Sequence, residues 1–435
     1  MALERVTQQS PTSGQPAATD TGRSAPAGRA QHAPDTPPGV ALGITAKSVG
    51  RSSPGKMPDT TAQERRAARY RHQRAAARLL PESRTGLCLW AVASLSYGVD
   101  VIHNTAEDRA RFSGLQTCGS VWSCPCCSGT VSETRRGELN ALLAWARAEG
   151  LHPVMLTLTA RHGADHALPA LLNSMKEAKR RLANHRQSKA MRPRIIGHVT
   201  ATEVTGGGVN GWHPHFHQVL LVKAASQAEA LELVEALREP WLAALKSEGL
   251  DGAGAAFQVQ GATAAGQYLG KWGAAEELAL SGRKSGRAGR SPFQLLADYS
   301  DAGDKRAGAL FAEYAAAFKG RRQLVWSPGL KKRAGIDEVS DEAAAEDAVR
   351  EAAAEDVQVG HFTPKGWAGV REHRAALLKM AEIAGARGVD AVVEAIKSRR
   401  LSAVKQVAGA RAAKAAQGPQ ARGSGGGTPR SQGAP

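Results

Sequence analysis

The alternation of apolar and polar positions divides the chain into a patterned middle and two unpatterned ends. Residues 1–60 are rich in Gly, Pro, Ser, Thr and Ala with almost no aliphatic periodicity, the composition of a disordered arm. A helix-compatible stretch over 61–84 ends near Pro81, and short apolar runs over 86–101 suggest strands. Over 130–149, Leu139, Leu142, Leu143 and Ala146 share one face, as in a helix. Residues 154–159 alternate as a strand does, with Thr157 and Thr159 opposite Leu156 and Leu158. A helix over 167–187 and a strand over 195–204 come next. The glycines 206–208 and Asn210-Gly211 then supply a turn into a strand over 215–222. A helix over 227–247, a short strand over 257–260 and a short helix over 263–272 complete the series. Such an order predicts an α+β fold around a mostly antiparallel sheet with helices on one face.

Beyond the middle, 337–356 is Ala-rich and helical in pattern, two more helices are expected at 366–385 and 388–406, and a Gly/Pro/Ser/Gln tail follows. The resulting partition is a disordered arm (1–60), a basic helix (61–84) and a Cys-rich segment (85–130). A larger α+β domain with a basic extension (131–335), a helical region (336–398) and a disordered basic tail (399–435) follow.

Charge narrows the class of partner. The 435 residues, enough for two or three domains, carry a formal net charge of +17. That surplus points to a polyanion, nucleic acid ahead of an anionic membrane. No apolar run approaches the roughly 20 residues that span a bilayer. The first twenty residues hold no apolar signal-peptide core, so the chain reads as cytoplasmic. The charge is also unevenly spread. Residues 61–84 hold seven arginines against two glutamates, a pattern that suits a DNA-backbone contact or a solvated helix. Residues 281–333 hold twelve Lys/Arg against four acids, and 399–435 hold seven basic residues and no acid. Arg290, Arg321, Arg322, Lys331, Lys332 and Arg333 are the candidate DNA contacts; solvated faces that keep a basic protein soluble are the plainer alternative. By contrast, 337–356 carries nine acids and one arginine.

Three groups of residues carry candidate chemistry. In 212–222, His215 and His217 fall on the same face of a strand while Phe216 points the other way. Two imidazoles so spaced can chelate one divalent ion, with Phe216, Leu220 and Val222 anchoring the strand. His213 has the same parity, but Pro214 interrupts a regular ladder and can leave it in the turn. Glu203, at the strand end just before the glycine turn, is the candidate third ligand. A carboxylate with two imidazoles suits Mg²⁺ or Mn²⁺ better than imidazoles alone. In the short helix, Tyr268 and Lys271 are three apart and share a face. The Tyr268 phenol, with an intrinsic pKa of about 10, needs a nearby cation and a polarised phosphate to attack phosphorus. The third group is Cys118, Cys124, Cys126 and Cys127. Five clustered cysteines, Cys88 included, argue for a metal and against a disulfide framework. The Cys124-x-x-Cys127 spacing is that of a zinc knuckle and Cys118 adds a thiolate, with the fourth place open to Cys126, Cys88 or His103. Four soft ligands leave no open position, so this zinc would be structural.

These residues together resemble the single-tyrosine HUH replication initiators of rolling-circle plasmids, particularly those of high-GC Gram-positive bacteria. The likeness rests on Leu156-Thr157-Leu158-Thr159, Glu203-Val204-Thr205, His213 through His217 and Tyr268-x-x-Lys271. Arg290 through Leu296 and Lys319 through Gln323 extend it, so that it covers about 115–333. The resemblance implies a five-stranded antiparallel sheet of HUH endonuclease type over 131–335, with the tyrosine helix against the histidine face. It implies that Tyr268 cleaves one strand at a plasmid origin, leaving a 5′-phosphotyrosine link and a 3′-OH primer. Mg²⁺ or Mn²⁺ on His215 and His217 would polarise the phosphate, and Lys271 would stabilise developing charge. The implied partners are origin DNA, single-stranded and in hairpins, with host helicase and polymerase, and no membrane. In some members a glutamate stands four residues before the tyrosine. Here Ala264 stands there, which leaves termination to Glu276, Glu277 or a second subunit.

Two other readings compete. A rolling-circle transposase would use the same chemistry on terminal repeats. A non-enzymatic zinc DNA-binding regulator would leave the histidine strand and Tyr268 without a purpose. A conjugative relaxase fits less well, because its tyrosine precedes the histidines.

Overall fold

The computed structural model describes residues 62–271, 289–350 and 355–416. The expected N-terminal arm, Glu276 and Glu277, and residues 417–435 lie outside these.

The strand at 215–222 is apolar on both faces from Val219 onward, the pattern of a strand covered on both sides. It forms β5 (Gly211–Val222), the middle of a five-stranded antiparallel sheet. The other strands are β3 (His152–Leu158), β4 (Ile195–Gly208), β6 (Phe257–Gln260) and β7 (Leu324–Trp326), in the order β6-β3-β5-β4-β7. A tight turn joins β4 to β5, and Gly207 and Gly211 both adopt φ of +74° there, where a side chain would be strained.

Helices cover both faces of this sheet, which corrects the expectation of one. On one face Val154, Leu156, Leu158, Phe216, Leu220 and Val222 pack against α3 (Leu168–Asn184), α5 (Gln227–Glu235) and α6 (Arg238–Ser247). On the other, Met155, Val199, Ala201, Val219 and Leu221 meet α2 (Pro125–Ala148) and Ala265 of α7 (Ala262–Lys271). The long helix expected over 227–247 is two helices; Pro240, in the first turn of α6, needs no intrahelical donor there.

A second, three-stranded sheet, β2-β1-β8, lies apart in sequence from the first. It joins β1 (Val99–Asn104) and β2 (Arg109–Ser113) to β8 (Asp356–Phe362), some 250 residues further on, and packs on Trp367, Leu377, Leu378 and Val389. The sequence pattern placed helix up to 356 and gave no sign of β8, whose exposed valine and glutamine do not alternate cleanly. After it, Pro364–Val370 and Arg374–Ala416 are helical, with a break at Gly385 (φ +56°). The backbone helix thus runs into the segment expected to be a disordered tail.

The arginine-rich helix α1 (Ala62–Leu79) is partly internal. Arg66 pairs with Glu382 at 2.6 Å, Arg74 lies over the Trp90 ring at 3.8 Å, and His72 is buried against Asp301 at 3.1 Å.

Candidate metal centre

On β5, the residues facing α2 and α7 are Val219 and Leu221, and the same parity carries His217, His215 and His213 toward the turn. The apolar core of that face therefore gives way to imidazoles on a rigid strand. Across the hairpin, Glu203 of β4 is the direct partner of His215, and Thr157 of β3 is the direct partner of His217. Register alone brings one carboxylate and one hydroxyl to the histidine pair.

The geometry suits a divalent ion. Glu203 Oε2 lies 3.3 Å from His215 Nε2 and 3.6 Å from His217 Nε2, and the three ligand atoms lie within 4.8 Å of one another. Two atoms each about 2.1 Å from an ion and ~90–120° apart would be roughly 3.0–3.6 Å from each other. The hydrogen bonds point the same way. His215 Nδ1 lies 3.3 Å from the His213 carbonyl, which can only accept, so that nitrogen carries the proton. In a neutral His215 the Nε2 lone pair then faces a carboxylate, two acceptors that need a cation between them. Burial, partly opposed by Glu203, pulls His217 down to about 4 and so keeps it neutral, the form that binds metal.

His213 stands beside this group and outside it. The ladder runs through Pro214 without interruption, so the proline does not turn His213 away. Its Nδ1 is instead 2.6 Å from His162 Nε2, while His162 Nδ1 donates to the Asn210 carbonyl at 2.8 Å. Burial, then His215 and His162, lower His213 to about 4. His162, in the loop after β3, completes a row of four imidazoles. Nothing in its local sequence marked it, because the contact spans 51 residues.

The helix that carries Tyr268 covers the same face of the sheet, since Ala265, three residues earlier, is fully buried against Met155 and Val219. The side chains of Tyr268 and Lys271 lie outside the described ones. The candidates for DNA contact separate clearly. Lys331 is 5% exposed and bonds Glu138 at 3.0 Å, inside a network with Arg135 and Asp341, so its place as a DNA contact is corrected to a buried ion pair. Arg290 pairs with Asp298 at 2.5 Å and exchanges both backbone hydrogen bonds with Gly206, which ties its segment to the edge of β4. Arg321 donates to the Ala317 carbonyl and Arg333 to the Ile196 carbonyl; Arg322, Lys332 and Arg333 are exposed.

The second cluster is built at the N-terminus of α2. Cys124 caps that helix and Cys127 sits in its first turn, and loops bring in Cys118 and Cys88. Cys88 and Cys118 Sγ lie 3.4 and 3.7 Å from Cys127 Sγ, close to the roughly 3.8 Å edge of a tetrahedron with 2.3 Å metal–sulfur bonds. Hydrogen bonding from Cys118 and its neighbours draws the Cys127 thiol down, and burial pushes Cys124 up, as expected when packed sulfurs compete to ionise. Of the three residues open as the fourth ligand, Cys88 is the one that joins. Cys126, one step of about 100° round the helix from Cys127, turns towards the Arg69 carbonyl, and His103 bonds Asp108. The Asp341–Arg350 helix closes over the cluster with Ala344 and Ala345.

Comparison with known proteins adds an independent line. Residues 110–238 match the family model described as replication protein, a span that contains Glu203 and all of the histidine row and ends before α7. A curated relative named Protein rep, from Streptomyces lividans, is 27% identical, with 54% of this chain and 68% of that protein covered. A protein from Streptomyces cyanogenus named neomycin resistance protein is 30% identical, with 30% of this chain and 36% of that protein covered. No solved structure matches the chain.

Proposed function

We propose that the chain is a plasmid replication initiator of HUH endonuclease type that starts rolling-circle replication, a reading supported by the replication-protein match over 110–238 and by the similarity to Protein rep. The observation that carries the proposal is the Glu203–His215–His217 group on the sheet face that α7 also covers. Bound Mg²⁺ or Mn²⁺ would polarise the scissile phosphate. The Tyr268 oxygen attacks phosphorus, loses its proton to solvent and becomes linked to the 5′ phosphate. The departing 3′ oxygen takes up a proton and remains as the primer hydroxyl. Lys271 balances the charge that builds on the phosphate. The thiols of Cys88, Cys118, Cys124 and Cys127 would hold a structural zinc, which would fix the start of α2.

The fates of the other tyrosines favour Tyr268 as nucleophile. The sequence contains five. Tyr70 is half-buried, and its removal from solvent pushes its pKa up to about 12. Tyr97 donates to Asp100 on the other sheet. Tyr314 is 4% exposed among Phe293, Phe311 and Phe318, and Tyr299 packs against the same cluster.

The test is a nicking assay on supercoiled plasmid bearing the origin, with Mn²⁺ and a labelled oligonucleotide. Tyr268→Phe is expected to bind origin DNA as before, to leave the plasmid closed and to form no covalent adduct. An adduct in that variant would remove Tyr268 from the reaction.

A further inference from the structure

The paired threonines of Leu156-Thr157-Leu158-Thr159 have no part in the reaction as proposed, yet one of them touches the metal group. Along β3, Leu156 and Leu158 enter the core beneath α3, while Met155 and Thr157 face α2 and α7. Met155 is 2% exposed and apolar; two residues on, the same face has changed to a hydroxyl. That change falls at the one position of β3 whose cross-strand partner is His217, and Thr157 Oγ1 lies 3.0 Å from His217 Nδ1.

Resting on the metal reading above, we propose that Thr157 is a positioning residue for the metal group. Its oxygen accepts the Nδ1–H of His217 and holds the ring in the tautomer whose Nε2 lone pair faces Glu203. A neutral imidazole has one proton to place. Were it on Nε2, that N–H would face Glu203, 3.6 Å away, and the nitrogen would have no lone pair to offer an ion. Thr157 suits the task because a β-branched residue is stiff at χ1, so its hydroxyl keeps one direction. His215 is held in the matching state by the His213 carbonyl, a backbone group no substitution removes. The two metal-facing nitrogens therefore depend on different partners, the His213 carbonyl for one and the Thr157 hydroxyl for the other. Outer hydrogen bonds of this kind typically change metal affinity about 10–100-fold.

The experiment is calorimetric titration of the full-length, zinc-loaded protein, dialysed free of Mg²⁺ and Mn²⁺, with Mn²⁺, without DNA. Thr157→Val, which keeps the shape and removes the hydroxyl, is expected to weaken Mn²⁺ binding about 10-fold or more. Thr157→Ser is expected to restore most of it. Thermal midpoints of the zinc-loaded proteins without Mn²⁺ should be similar for all three. Undiminished affinity in Thr157→Val, beside a normal wild type, overturns the role of Thr157 and leaves the metal reading standing. A wild type that binds no Mn²⁺ overturns both. A histidine-selective ¹⁵N spectrum of the metal-free wild type decides the matter without any variant: His217 protonated on Nδ1 supports the proposal, and on Nε2 overturns it.

Discussion

Glu203 and His215 are direct partners on adjacent antiparallel strands, with Oε2 and Nε2 3.3 Å apart. Because the His215 Nδ1 proton is committed to the His213 carbonyl, this contact needs a cation or a further proton. Replacing either partner should show which. Glu203→Gln keeps the shape and removes the charge, and should weaken Mn²⁺ binding by about 10-fold or more. His215→Ala and His217→Ala should each abolish Mn²⁺-dependent nicking. His213→Ala, outside the group and paired with His162, should retain part of it. Nicking at several Mn²⁺ concentrations separates affinity from turnover, and normal Mn²⁺ dependence in Glu203→Gln would sink the three-ligand site.

That site was legible for a physical reason: strand alternation and a short hairpin turn fix which residues face each other. His215, His217 and Glu203 could be placed from parity and loop length alone. His162 and Cys88 could not, since each reaches its partner through a loop far away in the chain. The second sheet was hidden similarly, because β1 and β8 pair across some 250 residues. Basic residues were the least legible. The run Lys331-Lys332-Arg333 reads as one patch, yet the first is buried and the second exposed.

This split makes a prediction. Lys331→Ala should cost about 3 kcal/mol, because Glu138 would be left with its charge buried and only Arg135 to pair with. Arg322→Glu and Lys332→Glu should leave unfolding unchanged and weaken DNA binding. For every phosphate no longer neutralised, the slope of log K against log salt should become shallower by about 0.9 on duplex DNA. Urea unfolding and salt-dependent binding titrations read the two effects separately. Weak DNA binding by a fully stable Lys331→Ala would return that lysine to the DNA surface.

The thiols make a sharper pair. Cys88→Ser should remove the bound zinc and lower the thermal midpoint as much as Cys118→Ser, although Cys88 lies 30 residues from the nearest other cysteine. Cys126→Ser should keep one zinc per chain. Zinc content by atomic emission, with thermal melts of the same samples, tests both. A chain that holds zinc without Cys88 but not without Cys126 would exchange their roles.

The last prediction concerns acid stability in the metal-free protein. Burial lowers the pKa of His72 and His198 below the usual 6.5, with Asp301 opposing the shift at His72 and Lys179 adding to it at His198. Above pH 6.5 both rings are neutral whether the chain is folded or not, and neither affects stability. As pH falls below 6.5 the unfolded chain takes up protons that the folded chain refuses, so stability drops until the folded pKa values are reached. The slope in that window can reach about 1.4 kcal/mol per pH unit for each histidine. Asp301, whose own pKa is lowered by the hydrogen bond from His72 despite its burial, acts only below the usual carboxylate range. His72→Gln with His198→Gln should therefore flatten the loss between about pH 6.5 and 5.5 while changing little of the slope above pH 7. Urea unfolding in chelator at half-unit pH steps gives both slopes. An equal fall in wild type and double variant would mean that these two rings protonate as readily inside the fold as outside it.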